Sequence, residues 1–288
     1  MERRKVMARL SQLKSRKLWT DSVPIGLAVF GVVSGVATVL GRSLRDMLDS
    51  IPKSIAVALA VMLISYLVAV VIKWWRIKDR MSRKVNRIDV TVRQGDILEV
   101  TGWRVIGFND YFDTTDDDRV VSHSTLHGKL LKRFRDSGEI EQFQKALDND
   151  DRSPLSAEKE VVSGRGTRYP LGCVKTYKDT KNNDWILLAL TRFNEQDEAR
   201  TDRASYESCL REMWKEIGRV YSGRPVFLPL LGDGMTRFDG LSASPNPNEL
   251  LRCMICTLRS GGVQIKAPIT ILIYDNLDEI NLYDLKGV

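Results

Sequence analysis

Two stretches of this chain combine residue types that could hold a phosphate or move a proton. In PLLGDGMTRFDG, Pro229 to Gly240, two glycines follow a short apolar run. Glycine adopts backbone angles closed to other residues and lets a ligand approach the main chain closely. Consecutive N–H groups of Gly232, Asp233, Gly234 and Met235 could therefore form an anion-binding nest. Arg237, and Arg192 from the end of another apolar run, could add charge-assisted hydrogen bonds to phosphate. The spacing matches neither a Walker loop nor GxGxxG, since Arg237 stands in the last glycine's place.

The second stretch, GFNDYFDT, runs from Gly107 to Thr114. Asn109 could position a ribose or a water, and Asp110 or Asp113 could act as a base. Asp116-Asp117-Asp118 reads as a solvated loop rather than a metal site. His123 and His127, the two histidines, lie four apart without an HExxH pattern, so packing at a helix start competes with any ligand role. Cys253 and Cys256 have CxxC spacing but no second Cys/His pair, and they fall in a helical run where core packing is expected. Four cysteines are too few for a disulfide framework and suit a reducing compartment.

The elements that must position these residues follow from periodicity. Strands are expected at Ile88 to Val92 and Trp103 to Phe108, at the continuous apolar run Trp185 to Leu190, at Val226 to Leu231 and at Ile269 to Tyr274. Helical spacing covers Ser124 to Ser137, Glu139 to Leu147, Arg203 to Tyr221 and Pro247 to Arg259, the last capped by Asn246. Residues 148 to 170 read as a loop. Alternating strands and helices predict an α/β fold with a largely parallel sheet covered on both faces. In such sheets ligands bind beyond the carboxyl ends of the strands, which selects Gly107 to Thr114, Thr191 to Glu195 and Gly232 to Gly240.

Charge separates the chain into two parts. Residues 1 to 87 hold 17 Lys and Arg against 5 Asp and Glu, so of the total of +7 they carry +12 and the rest −5. A nucleic-acid footprint belongs on the folded domain, and this basicity lies instead beside apolar segments, as expected for anionic lipid. No charged residue occurs between Asp21 and Arg42, or between Lys53 and Lys73. Each stretch of about 20 residues is long enough to cross the hydrocarbon core of a bilayer. Seven basic residues in 1 to 21 and seven in 73 to 87, against three in 42 to 53, place both ends on the cytoplasmic side. Gly31 and Gly35 form a GxxxG pattern that would suit association of helices. The expected layout is a basic N-terminus (1–21), a two-helix transmembrane hairpin (22–75), a basic linker (76–87) and one domain (88–288). The linker is then the covalent connection between span and domain, which favours coupling through assembly of protomers.

Gly95-Asp96-Ile97, following the first domain strand, resembles the element with which macro domains begin. Gly107 to Thr114 stands where that family has its Asn-rich ligand loop, and Gly232 to Phe238 where it has its Gly-rich loop. FNDYFDT departs from the usual NAAN-type loop, and no glycine triplet follows it. VSHSTLHGKLL, YPLGCV, LALTRFNEQ and PLLGDGMTRF instead resemble the divergent macro domain of effectors from Thoeris anti-phage defence, one branch of which carries two transmembrane helices ahead of that domain.

The resemblance implies a three-layer α/β/α sandwich behind the transmembrane hairpin. It implies a ligand rather than a cofactor: an ADP-ribose derivative, histidine–ADP-ribose in this branch, made from NAD by a partner enzyme with a TIR domain. Binding would drive homo-oligomer formation and disruption of the bacterial inner membrane, with no metal and no nucleic acid involved. Carried over by position, Asp96 would accept from the adenine amine and Ile97 would contact the base. Asn109 and Asp110 would lie near the distal ribose, and Gly232, Asp233, Gly234 and Met235 would wrap the diphosphate. Arg192 and Arg237 are additions made on charge alone. The alternative is a membrane-tethered ADP-ribosyl hydrolase using Asn109 or Asp110 to activate water. A third reading is a scaffold that recruits ADP-ribosylated proteins.

Overall fold

The computed structural model describes residue 10 and residues 12–39, 51–75, 80–115, 121–149, 166–194, 198–241, 243, 245–275 and 277–283. The Asp116–Asp118 run, residues 150–165 of the expected loop and Glu195 lie outside these described residues. The chain divides into two compact units, the first built from the N-terminal residues through Met81 together with 278–283, the second from Ser82 to Leu277. The chain therefore passes between the units at two points, not only through the expected linker.

The first unit contains helices α1 (Arg16–Val39) and α2 (Ile51–Trp75). Within them, Arg16–Val36 and Ile55–Trp75 have mean hydropathies of 1.4 and 2.9 and are long and apolar enough to cross a membrane. Leu59, Leu63, Ile64 and Val71 of α2 are each more than half exposed, an apolar surface that water would not tolerate on a helix of this length. The helices meet where Gly26 lies on Tyr66; a Cβ at Gly26 would sit 2.9 Å from the Tyr66 Cα. A Cβ at Gly31 or Gly35 would meet nothing within 4 Å, so the GxxxG face points away from α2. The foot of α1 is clasped by the carboxyl-terminal segment. Buried Gln12 donates from Nε2 to the Ile280 carbonyl (2.8 Å) and accepts from the Tyr283 N–H (3.1 Å), and the Tyr283 hydroxyl reaches Asp21 at 3.0 Å.

The second unit is built on a nine-stranded sheet among the described residues. Its strands are β1 (Arg80–Val85), β2 (Ile88–Gln94), β3 (Trp103–Asn109), β4 (Val174–Lys178), β5 (Asp184–Phe193), β6 (Ala199–Thr201), β7 (Val226–Pro229), β8 (Arg237–Phe238) and β9 (Ile269–Ile273). Their order is β1-β2-β9-β7-β3-β5-β6-β8, with β4 on β5. The pairs β2/β9, β9/β7, β7/β3 and β3/β5 are all parallel, so their carboxyl ends share one edge. β4 pairs antiparallel with β5, which makes the sheet mixed. The basic run read as a linker contains β1, whose side chains alternate exposed and buried between Arg80 and Val85.

Four helices cover the sheet: α3 (Leu126–Asp136), α4 (Ile140–Asp148), α5 (Arg203–Val220) and α6 (Pro247–Ser260). Thr125, Asp202 and Asn246 cap α3, α5 and α6 by accepting from Gly128, Ser205 and Glu249 N–H groups. Side chains alternate along β5. Trp185, Leu187 and Ala189 pack with Phe134 of α3 and Phe143 of α4, while Ile186, Leu188 and Leu190 are buried on the opposite face. This is the three-layer α/β/α sandwich. The CxxC pair lies on α6 as expected, but only partly in the core: Cys253 is half-buried, its thiol pushed up to about 11 by desolvation, whereas Cys256 is exposed.

Candidate functional site

The shared carboxyl edge opens into a cleft of about 630 Å³, within the range of small-molecule sites. Strand order sets its layout. Asp96 follows β2, Tyr274 follows β9, Gly232–Arg237 follows β7 and Asn109 ends β3, so these groups line the cleft in that sequence.

At the β2 end, Asp96 caps the short turn Ile97–Glu99 by accepting from the Leu98 N–H at 2.8 Å, with no other bond to its carboxylate among the described residues. Ile97 is buried beneath it. Tyr274, which sequence reasoning treats only as the end of a strand, is half exposed on the cleft wall, and Lys129 of α3 places its ammonium 4.5 Å from the ring centre. Neither carries a sequence signal of its own; only the pairing of β9 beside β2 brings Tyr274 next to Asp96.

After β7 the chain turns through Gly232 (φ +82°) and Gly234 (φ +139°), angles that side chains rarely permit. Gly232 is packed, with Tyr206, Leu250 and Phe238 within 3.4 Å of where a Cβ would be, and the Tyr206 hydroxyl donates to the Leu231 carbonyl at 2.7 Å. Gly234 faces open space, and Met235 is 62% exposed. Asp233 N–H closes a turn on the Leu230 carbonyl. The N–H groups of Gly232, Gly234, Met235 and Thr236 have no protein acceptor among the described residues. A rigid base supporting a run of open donors is what an anion nest requires.

The loop after β3 is built differently. Asn109 donates from Nδ2 to Asp113 Oδ2 at 2.7 Å and its Oδ1 accepts from the Tyr111 and Asp113 N–H groups. Asp110, buried, accepts from Arg168 Nε at 2.7 Å on one oxygen and from the Phe193 N–H at 3.2 Å on the other. Asn109 touches the cleft but Asp110 does not. Both side chains bond to groups within the protein. His127 sits in the first turn of α3 with its ring 3.7 Å from that of Phe108, centroid to centroid. Burial holds it neutral, pulled down to about 3 despite a hydrogen bond to the Asp113 backbone, and its Nε2 has no partner. His123 precedes the helix, so the two histidines do not share a helix face.

The two arginines chosen for charge lie in different settings. Arg237 lines the cleft, but its guanidinium pairs with Glu198. Asn194, with Arg200 and Arg237, holds that carboxyl below the usual range. Arg192, exposed near the end of β5, stands outside the cleft lining, although Leu190, Thr191 and Phe193 beside it contribute to that lining.

Comparisons agree with this architecture. The family model for the macro domain of Thoeris protein ThsA matches residues 90–274. The curated Thoeris protein ThsA of Bacillus amyloliquefaciens (strain Y2) is 34% identical over 230 residues, covering 76% of this chain and 75% of that one. Among solved structures, the Oceanobacillus iheyensis macrodomain in a mutant form has a TM-score of 0.42 at 16% identity, covering 73% of this chain and 96% of its own. The same macrodomain with ADP has a TM-score of 0.41 at 14% identity, covering 72% and 94%. By its family match and by its identity to the curated relative, the chain belongs to the ThsA family of Thoeris proteins.

Proposed function

We propose that this protein is a membrane-anchored effector of anti-phage defence whose macro domain senses an ADP-ribose-containing signal. The observation that carries the reading is the loop after β7, with four open N–H donors in a cleft that also presents Asp96 and Tyr274. The donors suit a diphosphate, the Asp96 carboxylate suits the amine of adenine, and the Tyr274 ring suits a stacked base. The signal is ADP-ribose or its histidine conjugate, supplied by a TIR-domain partner that consumes NAD. Signal binding assembles protomers through the outward Gly31/Gly35 face, and the two helices then breach the inner membrane, with both termini cytoplasmic.

The hydrolase alternative receives less support, because Asn109 and Asp110 already bond within the protein. Calorimetry on the full chain in lipid nanodiscs, with ADP-ribose and its histidine conjugate, tests the reading when ligand integrity is followed by chromatography. The expected outcome is binding with the ligand recovered intact. Turnover would favour the hydrolase, and no binding of either nucleotide would overturn both.

A further inference from the structure

The cleft has an electrostatic problem. Its described lining carries four carboxylates, Asp96, Glu198, Asp233 and Asp275, against two cations, Lys129 and Arg237. Arg237 is paired with Glu198, so it is already engaged by a carboxylate when a diphosphate arrives. Carboxylates at a partly buried site repel an incoming anion, so a cation beside them aids its binding.

Lys129 is the remaining cation of the described lining. It projects from the first turns of α3 into the cleft and has no carboxylate partner among the described residues. Its ammonium rests on the face of Tyr274 instead. Strand order locates that resting place: β9, which ends at Tyr274, lies between β2, which leads to Asp96, and β7, which leads to the glycine loop. The ammonium thus hangs between the segment suited to a base and the segment suited to a diphosphate. A cation–π contact at a partly exposed ring is weak, so a phosphate oxygen competes well for the ammonium.

We infer that Lys129 is a ligand-binding residue whose ammonium leaves the Tyr274 ring for the diphosphate, freeing that ring to stack on the base. The inference rests on the proposed reading of the cleft. It makes Lys129 the group that sets the anion requirement of the site, with a flexible point charge where the nest supplies fixed dipoles.

The test uses the full chain in nanodiscs of zwitterionic lipid, with ADP-ribose, inorganic diphosphate and adenosine as probes at low and high salt. Lys129→Met, which keeps the aliphatic stem, is expected to weaken ADP-ribose and diphosphate about tenfold and to flatten the salt dependence of both. Adenosine binding should hold or tighten, because the ring is no longer covered, and Lys129→Arg should retain most of the affinity. Wild-type ADP-ribose affinity and salt dependence in Lys129→Met would overturn the inference. Equal losses for adenosine and ADP-ribose would also overturn it, by showing that the residue merely supports the wall. Diphosphate binding that depends on Lys129 without any ADP-ribose binding would sink the nucleotide reading and the stacking role of Tyr274, and would support Lys129 as an anion-binding residue. Failure of the wild-type chain to bind either would sink both.

Discussion

After β3, Asn109, Asp110 and Asp113 turn their polar atoms toward one another and toward Arg168 and the Phe193 N–H, whereas after β7 the N–H groups of Gly232, Gly234, Met235 and Thr236 stay open. The first loop holds the residue types associated with acid–base work, and the second holds almost none. Yet the first is buried and satisfied within the protein, and the second keeps main-chain donors open at an accessible surface. Reactive residue types become a site only when their polar atoms are left without protein partners at an accessible surface.

The largest effect should come from the open loop. Gly234→Glu places a carboxylate where the structure has free space, at a φ of +139°, and should abolish ADP-ribose binding in calorimetry. Gly234→Ala separates charge from backbone strain, because it shares the strain of about 1–3 kcal/mol without the charge. Retained affinity in Gly234→Glu would break the contrast between the loops.

Asp110→Ala should act in the opposite sense. Removing the buried carboxylate that accepts from half-buried Arg168 and from the Phe193 N–H is expected to cost about 1–3 kcal/mol of folding stability, measured by denaturant unfolding, while ADP-ribose affinity of the folded protein stays within a few-fold. Collapse of affinity without loss of stability would make Asp110 a ligand residue after all.

His127 sharpens the same contrast, since its imidazole bonds to the Asp113 backbone in the first loop. The native ring takes up its proton only near pH 3, against an ordinary value of 6.5. Between these values the unfolded chain binds the extra proton, so stability present above pH 6.5 is lost on acidification, at about 1.4 kcal/mol per pH unit. His127→Phe should flatten that acid limb of the unfolding profile; an unchanged limb would remove the imidazole from it. The smallest effect is expected at Met235. Its exposed side chain makes Met235→Ala neutral to within about 0.5 kcal/mol in stability, with at most a few-fold change in affinity, because the donor there is the main chain.

Periodicity and charge carry much of the architecture. The apolar runs of β5 and β9, the amphipathic spacing of α5 and the Asn246 cap of α6 are local signals, legible without a fold. β1, β4, β6 and β8 are not legible: β6 and β8 are only three and two residues long, and β1 and β4 are short and interrupted by basic residues, so they do not read as strands away from their partners. The carboxyl-terminal segment falls to the second unit on sequence alone for a related reason. Nothing local reveals that Ile280 and Tyr283 find their partners at Gln12 and Asp21, more than 250 residues away.

The sequence by itself determined two apolar helices, an alternating α/β unit and the glycine loop as a place where the backbone could meet an anion. These depend on interactions between neighbours along the chain and on composition. Only the tertiary structure decided which polar atoms remain available. It closed Asn109 and Asp110 upon their neighbours, paired Arg237 with Glu198, left Arg192 outside the cleft lining, and brought Tyr274 and Lys129 to the cleft. The physical reason is that a hydrogen-bonding group's availability depends on what lies across the sheet from it, and strand order is a long-range property.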